Sequence, residues 1–384
     1  MEPSPLIGPA STLGYPAPYW FLLGFKVLGF ILHSVPMSLW LAGTIAAMLL
    51  NRYGHGHARR FASRLMQQMP LIIAAGVNLG IVPLLFTQVA YYRVFYPATI
   101  LMAWPWLSII VMLAVAYYGV YLHVLGLRGQ AGWLKPYTGA AGWLAALLFI
   151  LIGFFFTNGF SLMTNVGAWR DIWQHTSIAA APLGTALNSG DPTLLPRFLM
   201  FLGLALTTLG AYALLDAAVF AGRESPEYHR AMPLLALKIR IPGLLLFALC
   251  GTWYFFGALP QATRDYMFST WHAPLTVLTA LSPGLACPFV LLLIRRFSRA
   301  LCVLAAVVQF AAIALNAVSR QIVQNFELKP YLDVAAERVN MQWSPLILFL
   351  LLFVAGLGVL IWMIVQVAAV QRRELKHQPA GKKH

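Results

Sequence analysis

Residues 19–50 read YWFLLGFKVLGFILHSVPMSLWLAGTIAAMLL, a run from Tyr19 to Leu50 that carries one formal charge, Lys26. A stretch this long and this apolar predicts a membrane-spanning helix. Eight further runs follow it, near 69–92, 98–124, 138–163, 196–222, 241–260, 272–294, 300–318 and 344–370. Composition agrees with that reading: 60% hydrophobic and 10% charged residues, with a mean hydropathy of +0.75, cannot cover a water-soluble surface. The expected fold is all-α, a polytopic membrane helix bundle of about nine transmembrane helices. Short loops leave no room for a separate soluble domain, so residues 1–384 form a single integral membrane domain in contact with the lipid bilayer. The segment Met1–Pro18 lacks the basic start of a signal peptide, and the first run is too long to be a cleaved one. It is expected to stay as a helix.

The net charge of +15 is compatible with nucleic-acid binding until its distribution is examined. Loops on one side hold Arg52, Arg59, Arg60 and Arg64, then Arg128 and Lys135, then Arg223, Arg230, Lys238 and Arg240, then Arg295, Arg296 and Arg299. The C-terminal tail adds Arg372, Arg373, Lys376, Lys382 and Lys383 to that side, whose acids are Glu224, Glu227 and Glu374. On the opposite side, Arg93, Arg170, Arg197, Arg264, Arg320, Lys329 and Arg338 are balanced by Glu2, Asp171, Asp191, Asp265, Glu327, Asp333 and Glu337. Only Lys26 and Asp216 fall within spans. The whole excess charge therefore sits on one face, as the positive-inside rule requires of cytoplasmic loops. The N-terminus is outside, the C-terminus is cytoplasmic, and anionic lipid headgroups are the counterions. Nucleic acid is not needed as a partner.

Ionisable groups at membrane depth are costly, so each one raises a functional question. In the first span Lys26, His33, Met37 and Trp40 lie along one helical stripe, with Pro36 loosening the backbone. A haem b needs an imidazole or thioether axial ligand and cations near its propionates, which His33 and Lys26 can supply. The other reading of His33 is a histidine hydrogen-bonded to a neighbouring helix, and the sequence leaves both open. On the outer side Met200 follows Arg197, while Met267 and His272 follow Arg264. They suggest a second Met/His haem pocket, against ordinary apolar Met residues and an interfacial Trp271-His272 pair. His123, beside Tyr117, Tyr118 and Tyr121, reads as part of an aromatic belt. Asp216 reads as an interfacial acid, paired near Arg223 or hydrated. Cys250, Cys287 and Cys302 lie in apolar runs with no Cys-x-x-Cys pattern, so no covalent haem c, zinc site or disulfide framework is expected.

Several short motifs are similar to subunit I of the cytochrome bd quinol oxidases. Leu32-His33-Ser-Val-Pro36 resembles the segment around that family's haem-ligating histidine, Gly76-Val-Asn-Leu-Gly80-Ile resembles its Gly-rich second span, and Asn158-Gly159 through Val166-Gly167 resembles its Asn-Gly-Trp-Met-Gln-x-Pro-Val-Gly stretch. The likeness covers roughly residues 19–222. Departures accompany it. Val82-Pro-Leu-Leu-Phe86 and Ile100-Leu-Met-Ala-Trp-Pro-Trp106 replace runs that carry glutamates in the oxidases, Met200 falls near the position of the low-spin haem histidine, and the quinol loop is cut to Pro260–Trp271. A divergent bd-like group found with multihaem cytochromes c shares the Pro-Leu-Leu-Phe, Met-Ala-Trp-Pro-Trp, Ala-Tyr-Tyr-Gly and Gly-Asp-Pro-Thr-Leu-Leu-Pro-Arg runs.

The resemblance implies a bacterial inner-membrane electron-transfer subunit, binding haem b through His33. It would link the quinone pool to a periplasmic cytochrome c that docks on the outer loops 164–195 and 319–343, without the acids of an oxygen reductase. The cofactor-binding candidates are His33, Lys26, Met37, Met200, Arg197 and His272. The alternative is a haem-free membrane anchor that holds the partner subunits of a respiratory complex. A transporter would call for polar groups converging at the midplane and repeated halves, and the sequence has neither.

Overall fold

The computed structural model describes residues 6–376. Among them are nine helices long and apolar enough to cross a membrane. They are α1 (Tyr19–Tyr53), α2 (Gly56–Ala90), α3 (Ala103–Leu127), α4 (Gly132–Thr164), α5 (Leu194–Phe220), α6 (Pro226–Ala258), α7 (Ala273–Arg295), α8 (Arg299–Leu328) and α9 (Trp343–Lys376). Among the described residues the only strands are the two-residue pair Ser177–Ile178 and Ala181–Pro182 in the outer loop after α4. The bundle is all-α and polytopic. Residues 1–5 and 377–384, with Glu2, Lys382 and Lys383, lie outside the described residues.

Lipid tails are as apolar as leucine, so small residues and polar bonds must bring helices together. Glycine does this at three places. A Cβ on Gly203 of α5 would lie 2.6 Å from the Phe247 backbone nitrogen and 2.7 Å from the Gly243 carbonyl of α6, so these two backbones touch. On α3, a Cβ at Gly119 would meet the Ala141 carbonyl of α4 at 2.9 Å. Gly29 of α1 likewise lies against Val82 and Pro83 of α2, where a Cβ would approach to 2.9 and 2.8 Å. The α1–α2 seam, which carries His33, is therefore among the tightest in the bundle.

Regular helix is interrupted where the sequence removes backbone donors or adds polar groups. Pro36 in α1 is followed by a π-type turn at Leu39–Gly43, and α5 ends in another at Asp216–Phe220. α7 is broken near its middle: regular helix stops at Leu281, a 3₁₀ turn covers Ser282–Gly284, and helix resumes at Cys287. Proline stands inside both the turn and the restart, as Pro283 and Pro288, and each lacks an N–H for the ladder.

Three boundaries differ from those expected from hydropathy. α2 begins at Gly56, so Arg59, Arg60 and Arg64 are helical. α6 begins at Pro226, capped by the Ser225 hydroxyl accepting from the Tyr228 N–H, so Arg230, Lys238 and Arg240 are also helical. α8 continues to Leu328, which moves Ser319–Asn325 from a loop into the bundle and leaves about 329–342 as the outer connection. The physical reason is common to all three. Charges end an apolar run but do not end a helix, because Arg, Lys, Gln and Glu are good helix formers.

An outer cap closes the bundle opposite its basic face. The Tyr15 N–H donates to the Arg338 carbonyl at 2.8 Å, and the Tyr15 hydroxyl reaches the carbonyls of Ala90 (2.7 Å) and Val334 (3.0 Å). Gly14 makes this approach possible: its φ is +69°, and the Arg338 carbonyl occupies the place of a Cβ. The loop after α4 folds back over its own helix. Asn188 donates its backbone N–H to Asn158 Oδ1 (3.0 Å) and its amide to Ser161 Oγ (2.8 Å), while the Trp169 indole donates to the Leu162 carbonyl (2.8 Å).

Candidate cofactor site

His33 sits two-thirds of the way from the α1 start to its Pro36-induced irregularity, facing α2. Its Nδ1 lies 2.8 Å from the Gly76 carbonyl. A carbonyl only accepts, so Nδ1 carries the proton and the Nε2 lone pair is left for another partner. No side chain or backbone group of the described residues bonds Nε2, and the ring keeps some open surface. Gly80 makes room for it: a Cβ there would lie 2.7 Å from His33 Cε1 and 2.8 Å from Nδ1. The Trp40 ring meets the imidazole edge-on, with centroids 5.6 Å apart. The Gly76-x-x-x-Gly80 spacing thus sets both the carbonyl that orients the ring and the gap that admits it.

Lys26 takes a different role from the one the helical stripe implied. Its Nζ donates to Gln321 Oε1 (2.5 Å) and Gln324 Oε1 (2.9 Å) of α8 and lies 4.4 Å above the Tyr91 ring. Gln321 in turn donates to the Tyr91 hydroxyl at 2.8 Å, and Asn325 accepts from the same hydroxyl at 2.6 Å. Lys26 is 7% exposed, and its ammonium ties α8 to α1. It is a helix-joining group.

A second cation reaches the first span near His33: Arg320, expected in an outer loop, belongs to α8. Its guanidinium lies over two rings, Phe30 at 4.5 Å and Phe160 at 5.0 Å. Phe30 is three residues before His33, on the same side of α1. Arg320 keeps open surface although it stands within the bundle, and no carboxylate among the described residues is within ion-pair distance of it. The signal for it in the sequence was only its place in Ser319-Arg320-Gln321, because a loop arginine and a bundle arginine look alike until the end of α8 is known.

The remaining candidates divide. Arg197 forms an ion pair with Glu327 and lies 5.3 Å from the Tyr254 ring centroid, so its charge is already compensated. Met37 packs against the main apolar core on the same helix as His33 and one turn further on. Two ligands so placed cannot occupy opposite faces of one iron. Met200 lies against α6, where a Cβ on Gly251 would be 3.5 Å from its sulfur. His272 stacks on Tyr266 at 4.3 Å and exchanges a 3.0 Å hydrogen bond with Ser269, while Tyr266 stacks on Phe326 at 4.1 Å. Met200 and His272 thus have different neighbours, and neither contact joins them.

Two groups read as interfacial are internal. His123 is only 7% exposed; its Nδ1 meets the Thr138 carbonyl at 2.9 Å, while Tyr118 beside it faces outward. Asp216 is 0% exposed, and its carboxylate accepts from Arg64 Nη2 (2.9 Å), Arg64 Nε (3.0 Å), Gln68 (3.0 Å) and the Tyr228 hydroxyl (3.2 Å). Its ion-pair partner Arg64 comes from α2. Arg240 is a larger departure. Assigned by sequence to a cytoplasmic loop, it is 0% exposed, and its guanidinium donates to the carbonyls of Thr207 (2.8 Å) and Pro283 (2.6 Å) and to Gln309 (3.0 Å). Pro283 stands in the break of α7, so the charge meets the negative end of the first half-helix.

No protein-family model and no curated protein matches the sequence. The solved structures do contain a match: a chain of bd oxidase from Geobacillus thermodenitrificans, with a TM-score of 0.62 and 14% identity over 96% of this chain and 100% of that one. The protein has the bd oxidase fold. The likeness to bd oxidase extends along nearly the whole chain, beyond residues 19–222 where the motifs lie, and at this identity it speaks to fold alone. A multi-pass helix bundle of bd-like architecture is thereby shown.

Proposed function

We propose that this bd-like protein is a bacterial inner-membrane electron-transfer subunit with a haem b ligated by His33. It would pass electrons between the quinone pool and a periplasmic cytochrome c docking on the outer surface built by 164–195 and 329–342. The single observation that carries the proposal is the imidazole: Nδ1–H given to the Gly76 carbonyl, Nε2 unpartnered. Metal-ligating histidines typically donate their second nitrogen to a carbonyl or carboxylate, which fixes the ring and its tautomer. Gly80 admits the bonded edge of the ring, Cε1 and Nδ1, which leaves Nε2 directed away from the Gly76 carbonyl and open to a ligand.

The residues fit the group. His33 would hold the iron, Arg320 would neutralise a propionate, and Phe30, Trp40 and Phe160 supply apolar walls. When bound, a haem b supplies reversible one-electron transfer. The chain's own part is to orient the imidazole, compensate charge and keep the site away from water. Oxygen reduction of the oxidase type also needs proton-delivering acids, and none stands between Glu2 and Asp171. Of the acids at membrane depth, Asp216 is bound by Arg64 and Glu327 by Arg197. That supports electron transfer without oxygen chemistry.

The test is a reduced-minus-oxidised spectrum of the purified protein, expressed with ample haem. A b-type Soret band is expected in the wild type, lost in His33→Ala and shifted in midpoint potential in Arg320→Gln. A protein that co-purifies with partner subunits and has no Soret absorbance would overturn the haem and leave the anchor reading in its place.

A further inference from the structure

On the basic face, the ends of α6, α7 and α8 surround a cavity of about 860 Å³. Four arginines line it: Arg230 of α6, Arg295 and Arg296 at the end of α7, and Arg299 at the start of α8. No carboxylate among the described residues is within ion-pair distance of any of them. Glu224 reaches the rim, but Arg60 (2.8 Å) and Arg64 (3.3 Å) already hold it. Two helices begin here, α6 at Pro226 and α8 at Arg299, each with a serine cap that uses only one of the free first-turn N–H groups. These two N-termini add positive potential to that of the side chains and oppose the negative C-terminal end of α7 at Arg295.

Orientation in the membrane accounts for arginines near span ends; it does not account for the rest of the cavity. His229 lines it with Nδ1 buried and without a hydrogen-bond partner. The inner wall is apolar, made by Leu293, Ile294 and Phe297, with the Phe297 ring 5.5 Å from that of His229. It continues into Leu291 and Leu292, which are exposed on the outside of α7 where lipid tails run.

From this juxtaposition we propose that the cavity binds the phosphate headgroup of an anionic phospholipid from the adjoining leaflet. The arginines and His229 take the phosphodiester, and the apolar wall takes the first acyl carbons. A free phosphate would fill a small part of the space and leave the apolar wall unused. The proposal is independent of the haem.

The experiment is native mass spectrometry of the delipidated full-length protein, titrated with phosphatidylglycerol, phosphatidylcholine or inorganic phosphate. Phosphatidylglycerol is expected to bind at least tenfold more tightly than phosphatidylcholine and to resist displacement by phosphate. Neutralising Arg296 and Arg299 to Gln should weaken it roughly 30-fold, from the usual contribution of a basic residue beside an anionic leaflet. The same change at Arg59 and Lys135, on the same face but outside the cavity, should leave it within threefold. Should the double variant fail to fold, His229→Phe keeps every arginine and is expected to weaken binding several-fold. Equal affinity for phosphatidylcholine, displacement by phosphate, or unchanged binding in the site variants would each overturn the proposal.

Discussion

Gly80→Ala tests the geometry of the candidate site with one carbon atom. The new methyl would lie 2.7 Å from His33 Cε1 and 2.8 Å from Nδ1, about 0.7 Å inside ordinary contact. The ring cannot simply retreat, because Nδ1 is bonded to Gly76 and Trp40 stands at its edge. Overpacking of this kind costs about 1–3 kcal/mol, and loss of the buried hydrogen bond about 1 kcal/mol more. Replacing a helical glycine by alanine returns about 1 kcal/mol. The net expectation is a loss of about 1–3 kcal/mol in thermal unfolding in detergent, accompanied by a displaced or weakened Soret band. Gly24→Ala is the control on the same helix pair. Nothing lies within 4 Å of its Cβ, so it should be neutral or stabilising by up to about 1 kcal/mol. If Gly80→Ala melts and absorbs like the wild type, the imidazole does not occupy the place described and the argument for iron ligation fails with it.

Asp216→Asn should destabilise by about 3 kcal/mol, because it leaves the Arg64 guanidinium in a buried site with only Glu224 as a charged partner; a change in melting equivalent to less than about 0.5 kcal/mol would contradict the pairing. Arg240→Ala should cost more than Arg240→Met, since methionine refills the space while both remove the donors to Thr207 and Pro283; equal melting of the two would show that the lost charge and donors, not the volume, set the cost. The Tyr15 phenol, outside the spans, is held well above its ordinary range by burial and then by the nearby Glu337 carboxylate. The folded protein therefore favours the neutral phenol. Its contribution is intact below about pH 10, the range where an unfolded tyrosine ionises, and declines above it. Tyr15→Phe should flatten that alkaline decline in a pH series of melting curves.

Much of the fold was legible because the bilayer imposes one strong rule, that each span needs about 20 apolar residues, and because orientation follows a count of Arg and Lys in loops. Both are one-dimensional properties. The Gly76–Gly80 segment was legible as a stretch of close helix approach, since a glycine spaced four residues from another leaves a groove on any helix, but that the His33 ring is what fills it was not. Helix ends were not legible, because hydropathy stops at a charge and hydrogen bonding does not. That difference hid Arg320, which belongs to α8 and not to a loop, and Arg240, which is buried in the bundle although it stands next to polar sequence.

What the sequence by itself determined is an oriented membrane bundle with an imidazole in its first span. Only the tertiary structure decided which cation serves which role. Lys26 has the right helical spacing to His33, but the amide oxygens of Gln321 and Gln324, almost 300 positions further along, capture its ammonium. Arg320, on another helix, takes the place beside Phe30. Spacing along a helix fixes direction from the axis, whereas the partner of a buried charge is set by whichever neighbouring helix brings an acceptor within about 3 Å.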